Sequence, residues 1–334
     1  MLPCHKSLTY LKRSTLFIFG LFFMYCQTSF AQDKSSVDSI EFLYKSGDFD
    51  KSDRLKILKK LAQHHADTDT RAKYIDELIE VAKDLDSLEY EFSGYLEKGN
   101  VLNKKGDLNL ALKSYLEAAD LATDLNDHER LGITYVAIAG AYHNAQNHEN
   151  TVSYYLKAIM IFEEDGNLDL PYLAISNLNL GVEYLRVEKP DSALVFLFQS
   201  EPIFKSLNHE AGIAYSKGNI GMAYAQKGLN KLAEKYINEV IEIHRARKEY
   251  YPICDYLLTK ADIYIEKKDY VTALNFAHES LALAHKRELK KQVSEANLKL
   301  SILYELMGNT KKSFSYKTPA NISAVCQPNI ASVQ

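Results

Sequence analysis

The 334-residue chain contains no tryptophan, seven prolines and four cysteines. Two of the cysteines, Cys4 and Cys26, lie in the first thirty residues, so only Cys254 and Cys326 remain for the rest of the chain. That is too few for a disulfide framework, and the two lack metal-ligand spacing. No HExxH, GxSxG, CxxC or phosphate-cradling glycine loop occurs, which removes the common hydrolase, redox and nucleotide-binding signatures. The chain is 25% charged with a net charge of −4 and has no basic stripe. Nucleic-acid binding requires Lys and Arg to neutralise phosphates, so a nucleic-acid partner is not expected. Strictly alternating apolar stretches are missing too, which excludes a substantial sheet.

Apolar residues make up 46% of the chain, enough for a sizeable core. The longest uninterrupted apolar run is near the start, from Thr15 to Tyr25, and is shorter than the ~20 residues that span a bilayer. Lys6, Lys12 and Arg13 precede it, and Ser29-Phe30-Ala31 follows as a small-x-small cleavage signal. The order reads as a secretory signal peptide over residues 1–31, cleaved after Ala31, and so as an exported, periplasmic or otherwise extracytoplasmic protein. A membrane association is expected only if this segment stays uncleaved. Bulky Tyr25 before Cys26 argues against a lipoprotein. Loss of the leader removes three positive charges, giving −4 − 3 = −7.

Beyond the leader, a repeat dominates the chain. Tyr142, Tyr184, Tyr224, Tyr264 and Tyr304 are spaced by 42, 40, 40 and 40 residues. Small residues at Ala111, Thr151, Ala193, Ala233, Ala273 and Ser313 keep the same step and share the 42-residue interval. Each period carries a helix–turn–helix pattern. Over 93–125, Tyr95, Gly99, Leu102, Ala111, Tyr115 and Ala118 are periodic, with Gly106-Asp107 as the turn: Gly ends one helix and Asp caps the next. The next period repeats this with Tyr135, Ala139, Tyr142, Thr151, Tyr155 and Ala158. Later ones carry Leu180-Gly181, Ile220-Gly221, Ala261 and Leu300-Ser301 at the equivalent place. Small side chains there let two helices approach, and large ones fill the space between them. Pro190 opens a second helix, where proline is tolerated, whereas Pro202 lies late in that helix and is expected to kink or end it.

These residues resemble the tetratricopeptide repeat family, over roughly residues 40–317, in its long-repeat branch. The expected fold is all-α, a right-handed α-solenoid of antiparallel helix pairs. Residues 32–92 are expected to form an N-terminal helical cap and a degenerate repeat with Arg71 at a small-residue position. Six repeats cover 93–317, the last incomplete, and 318–334 is an uncharged tail. The resemblance implies a protein that binds a peptide or protein segment along its first helices, not an enzyme, and no cofactor is implied. A leader, a cap and such repeats are also similar to the exported sensor region of bacterial two-component histidine kinases. On that reading the chain is a truncated sensor; on the other it is a stand-alone binding module or scaffold.

The groove positions hold the candidate site residues Asn100, Asn103, His143, Asn179, Arg186, Tyr215 and Asn219. Matching asparagines in the long-repeat branch hydrogen-bond the ligand backbone, since an amide both donates and accepts. Glu97, Ala137, Thr259 and Lys299 interrupt the asparagine series. Asp255, Asp262, Glu295 and Glu305 make the last two repeats acidic on that side, which points to a neutral or partly basic peptide. His64-His65 point about 100° apart on a helix and do not form a metal pair. The tyrosine series is expected to pack between helices rather than to meet ligand.

Overall fold

A computed structural model describes residues 30–164 and 170–317, with the side chains of 30–36 and of Lys51 left aside. The leader ahead of Phe30 and the tail from 318 onward lie outside the described residues, as does Cys326. Fifteen α-helices and one short 3-10 turn (Lys51–Asp53) make up the described chain, with no strand among these residues. The described residues are all-α, built of antiparallel helix pairs repeated along the chain.

The helices are α1 (Phe30–Ser46), α2 (Arg54–His64), α3 (Thr68–Asp84), α4 (Leu88–Lys105), α5 (Leu108–Asp124), α6 (His128–Asn144), α7 (His148–Glu164) and α8 (Leu170–Arg186). They continue as α9 (Pro190–Ser206), α10 (Glu210–Gln226), α11 (Asn230–Ala246), α12 (Tyr250–Glu266), α13 (Tyr270–Lys286), α14 (Lys290–Leu306) and the short α15 (Thr310–Tyr316). The even-numbered helices from α4 onward are the first helices of the repeats. Helix plus turn takes 20 residues almost throughout, which is the physical basis of the 40-residue period. The single 42-residue interval is accounted for by five residues between α7 and α8, where the other junctions from α2 onward have two or three.

Turn chemistry sets this beat. Each described turn from α3 to α15 contains one residue with positive φ, from Asp86 through Asn126, Lys248 and Glu288 to Gly308. The following N–H closes back on the helix, as in Asp127 to the Ala122 carbonyl and Leu229 to the Tyr224 carbonyl, both at 2.9 Å. Only three of these turns, at Gly106, Gly228 and Gly308, use the residue that adopts this conformation without cost. Gly106 therefore ends α4 as expected, at φ 88°, but Asp107 makes no side-chain cap bond to α5. Asp67, Asp127 and Asp269 do cap their helices, each accepting from the N–H three residues on.

The described chain divides within α8, after Leu180, into two compact units. In the N-terminal unit, α1 to α3 enclose a core of Leu58, Leu61, Ile75 and Leu78. Arg71 occupies its small-residue position without being buried whole: its Nε donates to the Ala62 carbonyl at 2.7 Å and its guanidinium pairs with Glu97 at 2.5 Å. Between α4 and α5, Gly99 lies flat against the Tyr115 ring. A Cβ added there would come within 2.4 Å of that ring, which explains the glycine.

In the C-terminal unit the small residues Ala193, Ala233 and Ala273 are fully buried where paired helices meet. The tyrosine series behaves alike in both units. Tyr142 meets Tyr154, Tyr184 meets Phe196, Tyr224 meets Tyr236, Tyr264 meets Phe276 and Tyr304 meets Tyr316, with ring centroids 5.6–5.7 Å apart. Each pair locks a first helix to its second, so these tyrosines are architecture. Pro202 departs from expectation, since α9 runs past it to Ser206. The proline withholds a donor from the carbonyl of Phe198, a residue that is itself solvent-exposed. Water can satisfy a carbonyl there, so the helix need not end.

Candidate functional site

Along each unit the first helices touch one another in a row: α2, α4 and α6 in the N-terminal unit, α10, α12 and α14 in the C-terminal unit. Side chains on this row are held by rigid helices rather than loops.

In the N-terminal unit, Asn100 is committed inside its own repeat, accepting from the Tyr115 hydroxyl at 3.0 Å. Asn103 is half-exposed and accepts from the Asn144 amide at 3.2 Å, linking α4 to α6. His143, next to Asn144, is buried. Asn179 is half-buried on α8. Asn177, two residues earlier, is not singled out by the repeat pattern, yet it is almost fully buried. Its amide nitrogen donates to the Leu173 carbonyl at 3.0 Å and its side-chain oxygen has no partner.

In the C-terminal unit, Arg186 is not free to meet a ligand charge. Its Nε lies 3.1 Å from both carboxylate oxygens of Glu183, which is fully buried. A buried carboxylate and a guanidinium in this fork geometry neutralise each other. Tyr215 packs edge-on against His244 of α11 at 5.1 Å, and His244 reaches Tyr256 of α12 at 5.8 Å. Burial pushes the Tyr215 hydroxyl up to about 12, so it stays protonated. His244 donates from Nδ1 to the Glu249 carboxylate at 2.8 Å, and burial lowers its pKa despite that carboxylate. Asn219 is 2% exposed; its nitrogen donates to the Tyr215 carbonyl at 2.8 Å and its oxygen Oδ1 has no partner.

The acidic residues divide sharply. Asp262 is paired with Lys299, and Glu305 with Lys317 at 2.7 Å. Asp255 is 6% exposed and receives no hydrogen bond at either carboxylate oxygen. Burial, with Glu295 adding to it, raises its pKa well above the usual carboxylate range. Glu295 is raised too, mainly by burial, and Lys291 Nζ on the same helix approaches it only to 3.7 Å. Gln292 Nε2 and Ser294 Oγ, also on α14, are buried without partners. Buried polar atoms are nearly always satisfied, so this concentration on one helix row is unusual. Among the described residues no three His, Cys, Asp or Glu side chains gather as a metal site, and no helix is long and apolar enough to cross a membrane.

Two segments, residues 92–125 and 214–246, match the tetratricopeptide repeat model. One falls in each unit. No curated protein matches the chain in sequence. Among solved structures, a Rap protein in complex with the competence and sporulation factor is similar at a TM-score of 0.61 and 16% identity. That match covers 88% of this chain and 83% of the other. The apo form of RapI aligns at 0.56 and 18% identity, covering 70% and 97%. The Rap conjugation regulator of plasmid pLS20, in complex with the Phr* peptide, aligns at 0.50 and 17%, covering 86% and 92%. Two segments of the chain thus match the tetratricopeptide repeat, and its fold is that of helical-repeat proteins of this type. The resemblance to kinase sensor regions is not confirmed by these matches.

Proposed function

We propose that the protein is a binding module that holds a peptide or protein segment along its first helices, as a scaffold or recognition unit rather than a catalyst. The observation that carries this reading is a group of buried polar atoms on α10, α12 and α14 that find no partner within the chain, among them Asn219 Oδ1, both oxygens of Asp255, Gln292 Nε2 and Ser294 Oγ. Leaving such atoms unmet costs about 1–3 kcal/mol each. A guest backbone, carrying one donor and one acceptor per residue, is suited to meet them. Similar folds solved with bound peptides support the same class of guest. Asn219 holds its nitrogen on its own helix, which fixes the amide and leaves the oxygen as the acceptor.

The test uses an array of random dodecapeptides probed with the mature chain. Wild-type protein is expected to retain a reproducible subset. Asn179→Ala together with Asn219→Ala should weaken retention about tenfold or more, at the ~1.4 kcal/mol per decade that a lost hydrogen bond supplies, with the helical circular-dichroism signal intact. Unchanged retention removes both asparagines from the site.

The basic, apolar and small-x-small order of the first 31 residues supports an extracytoplasmic location. Expression in a bacterial host with its own leader, followed by N-terminal sequencing of the exported fraction, should return Gln32 as the first residue. An uncleaved cytoplasmic product would exclude export.

A further inference from the structure

The carboxylates of the last two repeats do not behave as one acidic patch. Two are satisfied by lysines, Asp262 by Lys299 and Glu305 by Lys317. The other two lie one repeat apart at the same position, Asp255 on α12 and Glu295 on α14; Glu295 has only Lys291, at 3.7 Å, and Asp255 has no hydrogen bond at either oxygen. Asp255 forms the floor, with neither oxygen hydrogen-bonded. Glu295 is the more exposed of the two and forms the mouth, its side chain 16% accessible.

The cations nearby leave Asp255 without a hydrogen-bonded partner. Lys299 is spent on Asp262. Lys291 sits one turn along α14 from Glu295, at 3.7 Å, and does not reach Asp255 with a hydrogen bond. Gln292 can offer an amide but no charge. The third member of the same repeat position, Tyr215, keeps its proton and packs its ring against His244, which in turn meets Tyr256, the neighbour of Asp255 in the chain. An organic cation gains from both carboxylates and aromatic faces, so this combination suits one. With no third His, Cys, Asp or Glu in reach among the described residues, the set is poor for a metal ion.

We propose that Asp255 and Glu295 form a subsite for one cationic group of the bound peptide, a guanidinium or primary ammonium inserted between α12 and α14. This rests on the peptide-binding reading above and assigns it a specificity: guests carry an Arg, a Lys or a free N-terminal amine at one fixed place. Burial raises both carboxyl groups, and an arriving cation would favour their ionised forms.

Four small probes separate the sources of positive charge. N-acetyl-arginine amide and N-acetyl-lysine amide carry it on the side chain, norleucine amide carries it on the α-amine, and N-acetyl-norleucine amide carries none. Ligand-observed NMR titration of the mature chain should show binding of at least one cationic probe and none of the neutral one; the probe that binds identifies the source. The double variant Asp255→Asn, Glu295→Gln should lose that binding about tenfold or more. Both changes keep shape and remove charge, and Glu295→Gln alone, at the more exposed residue, guards against a folding defect in the pair. Equal binding of neutral and cationic probes, or binding unchanged in the variants, would overturn the proposal. So would displacement of the probe by micromolar calcium. The dodecapeptide array separates this proposal from the groove itself. Capture of neutral peptides equally by wild type and double variant would keep the groove and remove the cation subsite. Probe binding lost in the double variant, with an array that captures nothing, would keep the subsite and remove the groove.

Discussion

Replacing Tyr115 by alanine should destabilise the protein by about 3–5 kcal/mol, the range for emptying a buried aromatic site. Tyr115 is 1% exposed and is among the largest side chains fully buried in the chain. Its ring lies against Gly99, so the truncation opens a cavity where α4 and α5 are closest. Neither backbone can collapse into that space without breaking the register of the neighbouring repeats, because each repeat packs on the next. Tyr115→Phe is the informative control. It keeps the ring and removes the hydroxyl that donates to Asn100 at 3.0 Å, leaving an amide oxygen unmet, and should cost about 1 kcal/mol. Tyr142→Ala should fall well below Tyr115→Ala, because Tyr142 is only half-buried and loses chiefly its stack on Tyr154. Urea unfolding followed by far-ultraviolet circular dichroism gives all three values. Equal losses for Tyr115→Ala and Tyr142→Ala would mean that the tyrosine series, not the second-helix aromatic, carries the repeat core.

The contrast between these two tyrosines shows what is legible in the amino-acid sequence. Periodicity finds the helices, their pairing and the small residues at helix contacts, because close approach leaves only Gly, Ala, Ser or Thr as options at 99, 111 and 151. Turn positions are less visible. Most carry a non-glycine residue at positive φ, such as Lys248 or Glu288, where composition alone announces no turn. The continuation of α9 through Pro202 is hidden because local sequence does not show which carbonyl faces water. The candidate site residues fall on first helices, but their availability depends on partners that the repeat pattern does not name. Asn179 and Asn219 occupy the same repeat position, yet only the second is buried with an unmet oxygen. Arg186 stands among the groove candidates in sequence, but the buried Glu183 one turn earlier neutralises it. Lys299, which interrupts the asparagine series, proves to be the partner of Asp262, and that pairing leaves Asp255 as the carboxylate without one.

Asp255→Asn should therefore stabilise the empty protein at neutral pH, by about 1–3 kcal/mol, the scale of an unmet buried polar group. The sign follows from linkage. The unfolded chain holds an aspartate near its ordinary pKa of about 3.9, while burial and Glu295 raise the folded value. Below about pH 4 the carboxyl is protonated in both states and costs nothing. As pH rises toward the folded pKa, the unfolded chain releases a proton that the folded chain retains, and stability falls until both are ionised. Asparagine removes this slope and supplies an amide that can donate toward Glu295. Other groups bear on the same carboxyl and remain in the variant: Glu295 and Lys291 from α14 directly, with Glu249, Tyr215 and Tyr256 coupled around them. Glu295 keeps its own raised pKa from burial, so some slope persists in the variant. Thermal unfolding of wild type and Asp255→Asn between pH 4 and pH 8 measures the difference. A gap in Tm that widens with pH supports an uncompensated carboxylate. A constant gap, or a variant less stable at pH 8, would show that Asp255 already has a partner in the empty protein. Natural chains keep such a destabilising group where binding needs it. An arginine amide or lysine amide that binds at this site should accordingly raise the Tm of wild type and leave that of Asp255→Asn almost unmoved.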